Sequence, residues 1–166
     1  LFSKGRAALS EAVRLATGGS GEVAVTSMTC FVVIEAIKAA GCQPLYIDIN
    51  PRSLQFDAKT LKNTIEGRDV RAVIVQNMLG IPVDIDEMLQ VAKQANTAVI
   101  EDLAHAVGGH YADGREIGTI GDYTMLSFGR DKMIDTINGG ALIVRTSDVG
   151  AAIKPPIETV ALFQQF

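Results

Sequence analysis

The chain has little of what several classes of protein require. It contains only two cysteines, Cys30 and Cys42, which stand in apolar surroundings without the spacing of metal ligands. We therefore expect free thiols, which suit a reducing cytoplasm, and no metal site. The net charge is −4 and the lysines and arginines form no cluster, which argues against a nucleic-acid-binding surface.

Signals for membranes and for nicotinamide cofactors are also lacking. No apolar run is long enough to span a bilayer, and no secretory signal peptide is visible. No G-x-G-x-x-G follows the first apolar strand, so a nicotinamide-binding Rossmann domain is a poor alternative. The 166 residues are 48% hydrophobic, which is enough to build the core of a single domain over residues 1–166.

Hydrophobic periodicity predicts strands and helices that alternate along the chain. Helices are predicted over residues 6–17, 30–40, 58–66 and 85–96, and strands over residues 22–26, 45–49, 72–76, 97–102, 123–128 and 141–145. A further helix is predicted after Thr146, broken at Pro155. This alternation predicts an α/β fold, with a mostly parallel central sheet and helices on both faces.

Chemically active residue types follow two of these strands. Residues 97–106 run from an apolar strand into Glu101 and Asp102 and then into a small-residue turn that carries His105. Ser127 and Lys132 follow the strand at 123–128 in the same way. In open α/β sheets ligands bind at the carboxyl ends of the strands. An acid, a histidine, a hydroxyl and a lysine at such ends are the set that pyridoxal phosphate (PLP) needs.

These residues belong to five blocks that together resemble the DegT/DnrJ/EryC1/StrS family, the sugar aminotransferases of PLP fold type I. The blocks are residues 5–9, 25–29, 80–86 and 101–106, and Ser127-Phe128 with Lys132 and Gly139-Gly140. The resemblance implies the PLP-binding large domain of an enzyme that moves an amino group from an amino acid donor to a nucleotide-linked keto-sugar. It also implies a site that a second subunit and a C-terminal domain complete.

The resemblance assigns the two catalytic roles to Lys132 and Asp102. Lys132 would form the Schiff base with the cofactor and, once freed, move the proton at the substrate carbon. Asp102 would pair with the pyridine nitrogen and keep it protonated, because an adjacent anion favours the charged form. In family members that carry histidine in place of this lysine the reaction is a dehydration, so Lys132 favours transamination.

The other cofactor contacts are carried over in the same way. Ala104 would lie against one face of the ring, and His105 would hydrogen-bond its phenolic oxygen. The phosphate would be held by Ser127 and by the turn at Gly5 and Arg6, where a helix begins.

The chain departs from the family pattern at four positions, in three places. The family places an aromatic side chain near residue 30 to stack on the ring, whereas this chain has Cys30 followed by Phe31. Either the thiol replaces the stacking ring, which the register of residues 27–29 favours, or Phe31 is recruited. Charges at Arg130 and Asp131 precede the lysine, and Asn138 replaces a common acid; these changes bear on the sugar substrate.

The ends of the chain predict a fragment that lacks the C-terminal domain. There is no initiator methionine, and residues 162–166 include apolar side chains that have no partner in the predicted domain. Apolar surface of this kind predicts self-association, most simply as a homodimer. The alternative to an enzyme is a truncated, non-catalytic remnant that keeps the large-domain fold as an interaction module.

Overall fold

The computed structural model describes residues 1–146. Six strands form one sheet: β1 (Glu22–Thr26), β2 (Gln43–Ile47), β3 (Val70–Val75), β4 (Ala98–Asp102), β5 (Tyr123–Ser127) and β6 (Gly140–Val144). Four α-helices lie among them: α1 (Gly5–Thr17), α2 (Phe31–Ala39), α3 (Ala58–Ile65) and α4 (Ile85–Gln94). The helix predicted after Thr146 lies outside the described residues.

The strands follow the order β2-β1-β3-β4-β5-β6 in the sheet. β1 to β5 pair in parallel, and β6 runs antiparallel to β5. Apolar and β-branched residues dominate the central strands because these strands are covered on both faces; in β3 only Arg71 is exposed. The predicted fold class, with a mostly parallel central sheet, is confirmed.

Two hydrophobic cores lie on the two faces of the sheet. One core joins α1 and α2 to the sheet, and its fully buried members include Leu9, Ile37 and Ile100. The other joins α3 and α4 to the sheet, with Leu61 and Met88 among its buried residues. The prediction of helices on both faces is therefore confirmed. Neighbouring residues at the end of a strand point to opposite faces of the sheet, and so to different cores.

The strand predicted over residues 45–49 begins two residues earlier, at Gln43. β2 pairs with β1 residue by residue from Gln43 to Ile47, and this pairing sets its limits. Pro44 lies inside the strand, which is tolerated because β2 is at the edge of the sheet and needs no hydrogen bond from that position on its outer side. Within residues 1–146, no helix is both long and apolar enough to cross a membrane.

Candidate active site

A cavity of about 320 Å³ lies at the carboxyl ends of the central strands, on the face of the sheet that α1 and α2 cover. Eight of the nine predicted cofactor-binding residues line it: Gly5, Arg6, Cys30, Asp102, Ala104, His105, Ser127 and Lys132. Ligand pockets of proteins begin at about this volume. Residues that are up to 127 positions apart in the sequence thus meet in one concave site.

Asp102 forms the floor of the cavity and is almost fully buried, with 2% of its surface exposed. Its Oδ1 accepts a hydrogen bond from the backbone N–H of Ala104 at 2.9 Å, and its Oδ2 accepts one from Nε2 of Gln76 at 2.9 Å. Burial raises the pKa of Asp102, and these two hydrogen bonds together with the nearby His105 and Lys132 act in the opposite direction. The carboxylate is fixed in place by two donors.

Lys132 extends into the cavity from the loop after β5. Its Nζ lies 3.3 Å from Nε2 of His105 and 3.2 Å from Oδ2 of Asp131. The side chain of Lys132 is 17% exposed, whereas that of Asp131 is 80% exposed, so the ion pair lies at the mouth of the cavity. The hydrogen bond from Lys132 lowers the pKa of Asp131. An amine is therefore held beside a histidine at the entrance to a pocket with a carboxylate floor.

Glycine brings the start of α1 against the end of β5. A Cβ atom on Gly5 would stand 2.7 Å from both Cβ and Oγ of Ser127, a separation that real Cβ atoms do not reach. A Cβ atom on Gly140 would likewise stand 2.7 Å from the Cα of Gly5. The two glycines thus let the positive end of a helix meet a strand-end hydroxyl, which makes this corner suited to an anion.

Arg6 lies at the rim of the same corner and forms an ion pair with Glu35 of α2. Its Nη1 is 3.2 Å from Oε2 of Glu35, and both side chains are about half exposed. Exposed pairs of this kind contribute little to stability, so Arg6 remains able to exchange partners.

The structure separates the two alternatives for a stacking residue. Cys30 lines the cavity. Phe31 is the first residue of α2; it is 71% exposed and lies in a neighbouring groove between α1 and α2, beside Arg6 and Glu35. Phe31 is therefore the one predicted site residue that the fold does not bring to the cavity, because the start of the helix directs it outward.

Two residues near the site have functions that the sequence did not reveal. Asn77, the second residue after β3, is fully buried; its Oδ1 accepts from the backbone N–H of Val83 and its Nδ2 lies 3.5 Å from the hydroxyl of Tyr111. Gln76, which was assigned only to a strand, reaches the cavity and contacts Asp102. The available signal was a polar residue directly after an apolar strand, and it applied to Gln76 as well as to Asn77.

Comparison with known proteins agrees with this geometry. The model of the DegT/DnrJ/EryC1/StrS aminotransferase family matches residues 2–154. GDP-perosamine synthase of Caulobacter vibrioides is 33% identical over 142 residues, which cover 86% of this chain and 38% of that protein. UDP-4-amino-4,6-dideoxy-N-acetyl-beta-L-altrosamine transaminase of Campylobacter jejuni is 31% identical over 136 residues, 80% of this chain and 35% of that protein.

A solved structure gives the same result. The sugar aminotransferase Spr1654 of Streptococcus pneumoniae, in its PLP form, superposes with a TM-score of 0.77 at 28% identity and covers 88% of this chain and 41% of its own. The chain thus spans about two fifths of the length of each relative. The cofactor prediction is confirmed at the level of the family, and the individual residue roles remain predictions.

Proposed function

Because this chain belongs to the DegT/DnrJ/EryC1/StrS aminotransferase family, we propose that it is the cofactor-binding part of a PLP-dependent sugar aminotransferase. The observation that carries the proposal is the convergence of Asp102, His105, Ser127 and Lys132 on one cavity. The reaction transfers an amino group from an amino acid donor to a nucleotide-linked keto-sugar. Two relatives named for GDP- and UDP-linked amino sugars support the substrate class.

The residues of the cavity fit the chemistry of the cofactor. A buried carboxylate suits a protonated pyridine nitrogen, and an amine at the mouth suits an aldehyde. The corner formed by Ser127 and the start of α1 suits a phosphate, because the positive end of a helix meets a hydroxyl there. The two come together because residue 5 is a glycine, and the close approach leaves no room for a Cβ atom. When bound, PLP supplies the electron sink that stabilises a carbanion at the substrate carbon.

The remaining roles belong to side chains of the cavity. Asp102, whose carboxylate is fixed by Ala104 and Gln76, would favour the protonated form of the ring nitrogen. The Nζ of Lys132 would hold the cofactor, and as an amine at the mouth of the cavity it could carry the proton at the substrate carbon. His105, 3.3 Å from that Nζ, is placed to orient the amine and to donate to an oxygen of the ring. Ala104 leaves space against the ring because its side chain is a single methyl group.

Assembly and location are part of the same proposal. We propose a cytoplasmic homodimer in which the large domain is completed by further chain and by a second copy. Exposed apolar side chains next in sequence to residues near the cavity support it, among them Met28, Leu79 and Met133, since apolar side chains left exposed are often covered at an interface. Light scattering that gives the mass of a monomer at all concentrations would contradict the dimer.

Borohydride reduction in the presence of PLP tests the proposed function. We expect a phosphopyridoxyl adduct on Lys132 by peptide mass spectrometry, together with a near-visible absorption band that borohydride abolishes. Lys132→Ala should lose both while the far-UV circular dichroism is unchanged, because this side chain lies in a loop at the mouth of the cavity, outside the two hydrophobic cores. Lys93→Ala, at the end of α4, is the matched control and should keep both signals.

An adduct that forms equally on Lys4, Lys38 or Lys93 would show that the cavity lysine is not special. That result would favour the alternative, a non-catalytic module that retains the fold. The intact set of Asp102, His105, Ser127 and Lys132 around the cavity opposes that alternative.

A further inference from the structure

Three neighbouring strands each place one polar side chain beside the next at their carboxyl ends. Thr29 follows β1, Gln76 follows β3 directly, and Asp102 ends β4, and these strands are adjacent in the order β1-β3-β4. β3 and β4 pair with Val75 opposite Glu101, so the next residue on each strand brings Gln76 level with Asp102. The pairing of β3 with β4 therefore sets Gln76 beside Asp102, and the turn after β1 brings Thr29 to Gln76.

The three side chains form a directed chain of hydrogen bonds. Oγ1 of Thr29 donates to Oε1 of Gln76 at 2.6 Å, and Nε2 of Gln76 donates to Oδ2 of Asp102 at 2.9 Å. An ionised carboxylate can only accept, so the amide must turn its NH₂ group to Asp102 and its oxygen to Thr29. The hydroxyl of Thr29 can satisfy that oxygen only by donating. Each link thus fixes the orientation of the next.

We propose that Gln76 is a positioning residue for Asp102: its amide, oriented by the hydroxyl of Thr29, fixes the carboxylate at the floor of the cavity and holds it in its charged form. The inference rests on the proposed function, in which Asp102 is the residue that meets the cofactor. A charged acid is needed there, because a neutral carboxyl group would no longer hold the ring nitrogen protonated.

The surroundings of Asp102 make this contact important. The carboxylate is 2% exposed, so water replaces a lost hydrogen bond poorly, and a buried charge that loses a donor is destabilised. Gln76 is itself 7% exposed. Within residues 1–146, the donors on Asp102 are the backbone N–H of Ala104, which no side-chain substitution removes, and the amide of Gln76. Of the two donors, the amide of Gln76 is therefore the one that a substitution can remove.

Other charged and titratable groups also face the same cavity. They are Arg6 from α1, Cys30 before α2, His105 after β4, and Asp131 and Lys132 after β5. Variants of Gln76 and Thr29 leave all five in place. A change in the titration of Asp102 in these variants can then be assigned to the lost hydrogen bond rather than to a changed charge.

The test is a ¹³C NMR titration of the Asp102 carboxyl group in the cofactor-free chain, with the resonance assigned by its absence in Asp102→Asn. Gln76→Met removes the amide but keeps an unbranched side chain of similar length. We expect the midpoint of Asp102 to rise by about one pH unit in this variant, the effect of losing one hydrogen bond to a charged group. Thr29→Val should raise it less, and Thr29→Ser should restore the original midpoint.

The matched control is Gln55→Met. Gln55 is also buried, with 4% exposure, and its Nε2 donates to the carbonyl of Ile81 at 3.3 Å, away from the cavity. This variant should lose stability without moving the midpoint of Asp102. Equal midpoints in Gln76→Met, Gln55→Met and the original protein would overturn the proposal.

Thr29→Val provides a second test of the proposal. Thr29 is partly exposed, so its replacement is compatible with folding even if Gln76→Met is not. An unchanged midpoint in Thr29→Val would overturn the role given to the hydroxyl and with it the directed chain. Failure of the proposed function is a separate result: it would appear as the absence of a borohydride-fixed adduct on Lys132, whatever the midpoint of Asp102.

Discussion

Glu101 and Asp102 are neighbours at the end of β4, yet they serve opposite faces of the sheet. Alternation along the strand directs Asp102 to the cavity and Glu101 to the other face, where it contacts the loop between β4 and β5 that contains Gly118 and Gly121. Both carboxylates are buried, with exposures of 0% and 2%. They differ in the number of donors: Asp102 accepts two hydrogen bonds, and Glu101 accepts four.

The four donors to Glu101 tie the loop after β4 to the sheet. Its Oε2 accepts from the hydroxyl of Tyr111 and the backbone N–H of Gly118, both at 2.6 Å, and its Oε1 accepts from the N–H groups of Ile120 and Gly121. Arg145 donates to the carbonyl groups of Gly118 and Gly121 from the other side. Burial and the bond to Glu101 raise the pKa of Tyr111, so the phenol stays a donor.

The difference separates a structural acid from a functional one. A carboxylate has about four acceptor positions, and Glu101 fills them all with protein donors. Asp102 keeps positions free, which leaves it able to bind a ligand but less well compensated for its burial. The Glu101 side of β4 therefore holds the loop in place, and the Asp102 side is left less stable and available for chemistry.

The largest expected effect is on the Glu101 side. Glu101→Gln replaces two of the four acceptor positions by an NH₂ group that faces N–H donors. We expect a loss of about 3 kcal/mol in the free energy of unfolding, since hydrogen bonds to a buried charge are lost and their donors are left unpaired. Urea denaturation measures it.

Glu116→Gln is the matched control for this prediction, because Glu116 lies in the same loop and is exposed. Its free energy of unfolding should change by no more than about 0.5 kcal/mol. If the two variants were equally stable, the hydrogen bonds to Glu101 would not be what holds the loop.

Glu101 and Asp102 also show which features the sequence predicts and which it does not. The strand–helix alternation, the parallel sheet and the cluster of Asp102, His105, Ser127 and Lys132 were predicted, because hydrophobic period and strand ends follow from local residue types. The four donors to Glu101 were not, because they come from a loop whose path depends on tertiary packing. The outward direction of Phe31 depends in the same way on where α2 begins, a boundary that periodicity locates poorly.

An intermediate effect is expected from Asp102→Asn and depends on pH. Burial raises the pKa of Asp102 in the folded protein above its value in the unfolded chain. The folded state then binds this proton more tightly, so the contribution of Asp102 to stability falls as the pH rises from the unfolded pKa through the folded pKa. Relative to the original protein, Asp102→Asn should become progressively more stable as the pH rises above about 4, the ordinary pKa of an aspartate.

Asp57→Asn should show the opposite trend. Asp57 caps α3, and the hydrogen bond from the backbone N–H of Thr60 lowers its pKa in the folded protein. Its contribution is present above the unfolded pKa and is lost as the pH falls through the folded pKa. Asp57→Asn should therefore lose ground to the original protein as the pH rises towards about 4, the ordinary pKa of an aspartate, and show no further trend above it. Parallel trends in the two variants, followed by thermal unfolding, would contradict the assignment of Asp102 as the poorly compensated acid.

The smallest expected effect concerns strain in the loop that carries Lys132. Ile137 has φ +71°, in the left-handed region that a β-branched residue rarely adopts, and its side chain is 54% exposed. Ile137→Gly would remove about 1 kcal/mol or more of strain but would also give the unfolded chain more freedom. We therefore expect the free energy of unfolding to increase by about 0.5 kcal/mol.

Ile134→Gly is the matched control, because Ile134 is 43% exposed in the same loop and its φ is not positive. The same freedom of the unfolded chain should make this variant less stable. Opposite signs for the two glycine variants in urea denaturation would establish that strain is stored on the Asp102 side of the sheet. A loss of stability in both would mean that the loop adopts the conformation of Ile137 without cost, and the Asp102 side would then differ from the Glu101 side only in the number of its hydrogen bonds.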